Sequence, residues 1–78
     1  MSQRFGIIGY GKVGKIHVRI FNKLGCKTDI ILVDKNTNIA KIVEHFEHHY
    51  NYSPLITRDP RIFFHRKLNF VVLSSPTP

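Results

Sequence analysis

Apolar positions recur along this 78-residue chain in two rhythms: short unbroken runs, and longer stretches in which every third or fourth residue is apolar. The runs predict strands over residues 4–8, 30–34 and 69–74, and the continuous apolar middles of the second and third predict parallel strands buried on both faces. Pro54-Leu55-Ile56-Thr57 fits a shorter strand. A helix is predicted over residues 12–24, where Val13, Ile16, Ile20, Phe21 and Leu24 have helical spacing and Gly25 supplies the stop. Asn36, Thr37 or Asn38 can cap a second helix, with inner face Ile39, Ile42, Val43 and Phe46, running to about residue 49. Asp59 and Pro60 suit the cap and first turn of a brief helix to about residue 65.

The resulting order is β-α-β-α-β-α-β, without linkers or repeats. Right-handed crossovers arrange the strands as a parallel sheet in order 3-2-1-4 with helices on both faces. That is an α/β architecture, a partial doubly wound Rossmann fold comprising its first half and the first strand of the second. Residues 1–78 are expected to be the N-terminal part of a dinucleotide-binding domain, with no substrate-binding domain. The fourth strand is then an apolar edge open to pairing with another chain.

The first strand runs straight into Gly9-Tyr10-Gly11-Lys12-Val13-Gly14, a G-x-G-x-x-G that opens the first helix. Gly9 permits the tight turn, Gly11 lets the backbone approach a pyrophosphate, and Gly14 allows the helix to pack closely on the strand. Phosphates then sit on free N–H groups at the positive end of the helix dipole. About 20 residues on, a dinucleotide site needs an acid at the end of the next strand to take the adenosine ribose hydroxyls. Asp34 meets that demand. Lys35, next to it, is a cation able to accommodate a 2′-phosphate, so NAD is the expected cofactor and NADP the alternative.

Charge adds a second theme. Twelve Lys and Arg against five Asp and Glu give a net charge of +7, which favours polyanions. The cations form no contiguous run: Lys12, Lys15, Arg19, Lys23 and Lys27 follow the first helix, and Arg58, Arg61, Arg66 and Lys67 lie near the end. This predicts a solvated helix face and salt-sensitive, nonspecific contact with nucleic acid, with no specific nucleic-acid site. No window approaches the roughly 20 apolar residues of a membrane span, and no signal-peptide pattern is present, so a cytoplasmic location without membrane association is expected. The single Cys26 excludes an internal disulfide and reads as a loop spacer beside Gly25.

Several segments together resemble the Gfo/Idh/MocA oxidoreductases over nearly the whole chain. Gly9-Tyr10-Gly11-Lys12-Val13-Gly14-Lys15-Ile16-His17 is similar to the family's G-x-G-x-x-G-x-x-H opening, and Val33-Asp34-Lys35-Asn36 to its strand-end acid. The stretch from Thr57 through Leu68-Asn69-Phe70-Val71-Val72 resembles its third helix and fourth strand, and Leu73-Ser74-Ser75-Pro76-Thr77-Pro78 its segment at the nicotinamide side. The resemblance implies an NAD(P)-dependent oxidoreductase module whose relatives act on sugars, polyols or related carbonyl compounds. It implies Gly9, Gly11, Lys12, Val13 and Gly14 on the pyrophosphate and nicotinamide side, Asp34 on the ribose, and Ser74, Ser75 and Pro76 on the opposite lip. Family members continue into an E-K-P segment with a candidate catalytic lysine and then a substrate-binding domain. Neither is in this sequence, so no catalytic residue is carried over.

The remaining candidates have structural readings. His17 is expected to pack or hydrogen-bond, and Tyr10 either to pack against a cofactor or to fill a surface position. Lys12 either approaches the pyrophosphate or stays solvated. His45 and His49 are four apart and can share a helix face, but no third ligand is evident and a solvated helix end is expected rather than a metal site. The alternatives to an oxidoreductase module are a nucleotide-sensing module that completes its sheet with a partner, a ligand-gating domain of the potassium-channel regulatory type, and a basic nucleic-acid-binding protein. His17 and the Ser-Ser-Pro-Thr-Pro end argue against the second, and the lack of an aromatic or helix-turn-helix element against the third.

Overall fold

The computed structural model describes residues 3–74. In chain order it contains β1 (Gln3–Ile8), α1 (Lys12–Lys23), β2 (Cys26–Leu32), α2 (Ile39–Tyr50), β3 (Leu55–Thr57), α3 (Pro60–Phe64) and β4 (Phe70–Leu73). The strands are all parallel and lie in the order β3-β2-β1-β4. The fold is therefore α/β, with the expected partial doubly wound topology.

Side chains alternate across a strand, so β1 serves two faces at once. Phe5 and Ile7 join Val18 of α1, Ile31, Val33, and Ile42 and Phe46 of α2 in the main core. The Phe5 ring lies 5.2 Å from both Phe21 and Phe70, tying α1 to β1 and β4 on this face. Gly6 faces the other way, against Phe63 of α3 and Leu68, where an added Cβ would lie 2.7 Å from both side chains. Helices thus cover both faces. Burying Phe5, Phe46 and Phe63 completely contributes about 1.5–3 kcal/mol each.

The register of β1 against β2 shifts between Phe5 and Gly6, which pair with Thr28 and Ile30. Asp29 falls at that irregularity and is held there by Arg66 Nε at 2.8 Å and Arg4 at 3.7 Å. The Tyr52 hydroxyl accepts from the Thr28 N–H at 3.1 Å. Cys26, expected in a loop, opens β2 instead and packs half-buried against the core. Ile30 and Ile31 are both buried, as expected of a strand covered on both faces.

Of the helically spaced Val13, Ile16, Ile20, Phe21 and Leu24, Phe21 packs against the core, whereas the other four are 51, 40, 47 and 71% exposed, and the fully buried residues of α1 are Gly14 and Val18. The cause is Gly14, where an added Cβ would lie 3.0 Å from the Gly9 carbonyl oxygen. The helix approaches the sheet most closely along the face that carries no side chain there, which turns the aliphatic stripe sideways. The expectation that β4 is buried on both faces is corrected. Phe70 and Val72 are half-buried under α1, whereas Val71 and Leu73 are exposed, because α3 packs beneath β2 and β3 rather than β4.

Candidate functional site

At the carboxyl end of β1 the chain reverses within three residues. Gly9 has φ 86°, a conformation that a side chain would strain, and its N–H donates to the Leu32 carbonyl at 2.9 Å, fixing the turn to the end of β2. Gly11 is the N-cap of α1, and Lys15 donates to its carbonyl at 3.0 Å. Among the described residues no side chain caps this helix start. The other two helices are capped, α2 by Asn38 on the Lys41 N–H and α3 by Asp59 on the Arg61 N–H. Among the described residues the first N–H groups of α1 are therefore left as orphan donors at the positive end of the helix dipole.

The loop glycines divide their labour. Gly14 is required by packing, as the contact with Gly9 shows. Gly11 is not: its φ is −117° and an added Cβ would meet nothing within 4 Å. The space over Gly11 is open, and the fold itself would accept any small residue there.

That space belongs to a cavity of about 550 Å³ lined by Ile8, Gly9, Tyr10, Gly11, Leu32, Val33, Asp34 and Thr37. Parallel strands end on the same side, so the tip of β1 and the residues after β2 form one crevice. Asp34 closes its far wall. Oδ1 of its carboxylate accepts from the Asn36 N–H and from the Thr37 hydroxyl, both at 2.9 Å, while among the described residues Oδ2 takes no hydrogen bond. The Thr37 hydroxyl first, and then the Asn36 N–H, hold the carboxyl below the ordinary carboxylate range. The group is charged at neutral pH and offers one wholly open oxygen, with Oδ1 committed to the local turn.

Arg58 is a contributor that the sequence analysis did not place at this site. It follows β3, donates from Nη2 to the Thr37 carbonyl at 2.8 Å, and its charge also lowers the Asp34 carboxyl. The strand order carried the signal, since the residues just past adjacent parallel strands are neighbours.

The other sequence-predicted residues disperse. Tyr10 reaches past the crevice and packs on Phe46 and His45 of α2, with ring centroids 5.4 and 6.1 Å away. Its hydroxyl is buried without a hydrogen-bond partner among the described residues, and burial pushes the phenol pKa up. It therefore helps to seat α2, a role neither sequence alternative named. Lys12 and Val13 are exposed in the first turn of α1, and Lys35 is exposed beside Asp34. Ser74 is buried just past β4, its N–H donating to the Ile8 carbonyl at 2.9 Å, and its hydroxyl lies 2.7 Å from His17 Nδ1. The hydrogen-bonding role expected of His17 is thus realised, and its partner is the last described residue on the fourth strand's end. Ser75 and Pro76 lie outside the described residues.

The His45 and His49 rings lie 4.3 Å apart on α2, tilted at 48°, but among the described residues no group of three or more His, Cys, Asp or Glu side chains is placed to hold a metal ion. No helix among the described residues is long and apolar enough to cross a membrane. Comparisons with protein-family models, curated proteins and solved structures found no match to this chain.

Proposed function

We propose that the chain is an NAD(P)-binding module of a Gfo/Idh/MocA-like oxidoreductase, with NAD preferred over NADP. One observation carries this reading: the uncapped start of α1 and the unfilled space over Gly11 open into the same cavity whose far wall holds the ionised Asp34. A pyrophosphate fits the first pair of features, because free N–H groups and a helix dipole favour a compact anion. A ribose hydroxyl fits the third, through Oδ2. A 2′-phosphate would meet the Asp34 charge, although Lys35 and Arg58 temper that repulsion.

Hydride transfer is the cofactor's own chemistry, and a protein must bind the cofactor, orient it and bring a substrate and proton relay to it. This chain's residues serve the first task. No residue is assigned to proton transfer, so the module by itself is proposed not to turn over a polyol or sugar. Its partners are the dinucleotide and a further chain along β4.

Calorimetric titration of NAD and NADP against the protein and an Asp34→Ala variant tests the assignment. The unmodified chain binds NAD more tightly, and the substitution brings the two affinities together by weakening NAD and strengthening NADP. An unchanged preference removes Asp34 from the ribose.

A further inference from the structure

We infer that the groove between α1 and α2 holds a phosphate group, gripped by Lys15, Lys41, His45 and the Asn38 amide, and that this phosphate belongs to a small ligand other than the dinucleotide. The inference stands independently of dinucleotide binding. These four residues line a cavity of about 200 Å³, with Tyr10 and Ile42 as its apolar walls. That volume is below the roughly 300 Å³ at which pockets for drug-sized ligands begin, so it suits a compact anion rather than a whole nucleotide. Among the described residues Tyr10 alone lines both this cavity and the crevice over Gly11.

The two helices bring these cations together against their own electrostatic preference. Lys15 and Lys41 stand at the fourth and third positions of α1 and α2, where the helix dipole is positive and acids are the stabilising residues. Neither helix has an acid in its first turn. Among the described residues neither lysine has a carboxylate within ion-pair distance, and no acid lines the cavity. Asn38 commits Oδ1 to the Lys41 N–H at 3.3 Å, which leaves its amide nitrogen without a hydrogen-bond partner among the described residues and able to donate. His45 adds a ring nitrogen one turn beyond Lys41. A tetrahedral dianion in this groove meets two ammonium groups, an imidazole and an amide donor, and offsets the repulsion among the cations. Charge-assisted hydrogen bonds of this kind are the stronger ones.

The same groups make binding depend on pH. His45 is faced by Lys15 from α1, by the Tyr10 ring from the glycine loop and, on α2 itself, by Lys41, Glu44, His48, His49 and Tyr50. Burial first, and then His49, Lys15 and His48, hold its pKa below 6.5. Glu44, the one acid among these groups, lines a neighbouring hollow with Lys41, His45, His48 and His49. A bound dianion favours the charged imidazole and raises that pKa, so by linkage acid pH tightens the anion.

Sulfate is the probe, since unlike phosphate it keeps one charge state between pH 5 and 8. Proton–carbon NMR of the imidazoles in the full chain, with sulfate exchanged for chloride at constant ionic strength, reads His45 directly. The expected result is a saturable shift at His45, with an affinity about threefold or more higher at pH 5 than at pH 8. Lys41→Glu lowers the affinity by about tenfold and Lys15→Gln by about threefold, because each removes a cation that faces the anion. Both positions are exposed, and circular dichroism verifies that each variant folds. Gly11→Val leaves sulfate binding unchanged, because the glycine loop is a separate site. An unmoved His45, a shift shared equally with His65 as a general response to salt, or a shift that survives both lysine substitutions would overturn the inference. So would loss of the shift in Gly11→Val, or displacement of sulfate by NADP but not by NAD.

Discussion

Gly14 and Gly11 are three residues apart in one motif, yet the structure asks different things of them. At Gly14 a methyl group would press on the Gly9 carbonyl, a backbone atom that cannot swing aside. Gly14→Ala therefore destabilises the fold by about 1–3 kcal/mol from overpacking, reduced by the roughly 1 kcal/mol that alanine gains over glycine in a helix. Urea unfolding will show a lowered midpoint. Gly11→Ala meets no such clash and lowers the midpoint only by what alanine loses to glycine at an N-cap, less than about 1 kcal/mol. The motif alone gave Gly14 to helix packing and Gly11 to a ligand's approach; the packing around them shows the contact behind the first and leaves the space over the second open. Tyr10 carries the same lesson in reverse: within the motif it looked like a loop residue, whereas its ring is part of the α2 contact.

At the scale of elements, the order of strands and helices was legible because punctuation and periodicity agreed: Gly25 after α1, Asn38 before α2, Asp59-Pro60 before α3. The rotation of α1 was not legible. Its residues offer two adjacent stripes, one aliphatic and one made of Gly14, His17, Val18 and Phe21, and hydrophobicity alone selects the first. Close approach at a glycine selects the second, and that choice depends on where the sheet lies. The His17–Ser74 pair and the Arg58–Thr37 contact bridge 57 and 21 residues; the expected strand order set those strand ends side by side but did not say which side chains meet there.

The packing of α2 also has a pH dependence. His45 has its pKa lowered from 6.5, first by burial and then by His49, Lys15 and His48. The unfolded chain thus binds a proton at this position more readily than the folded one, so stability is fully present above about pH 6.5 and declines as pH falls through that value. Thermal melting between pH 5 and 8 should show this loss on the acid side. His45→Gln, which cannot charge, should flatten the profile. An unaltered profile in the variant would assign the dependence elsewhere.

For the molecule as a whole, charge is unevenly placed. Asp29, Asp34, Glu44, Glu47 and Asp59 all lie between the start of β2 and the start of α3, while α1 and β4 hold none. The glycine loop therefore opens a helix that carries Lys12, Lys15, Arg19 and Lys23 and no acid, which favours an anionic ligand at low salt without specifying it. What specifies it is the cavity between that loop and Asp34. The most direct measurement is calorimetric titration of NAD into the unmodified chain and into Gly11→Val at low salt, paired with thermal melting of both. The account predicts measurable NAD binding to the first, a loss of about tenfold or more in the second because the side chain occupies the pyrophosphate position, and a melting temperature lowered only by the N-cap preference for glycine, with the variant still folded. Equal NAD affinity in the two proteins, or no NAD binding to the unmodified chain, would contradict it.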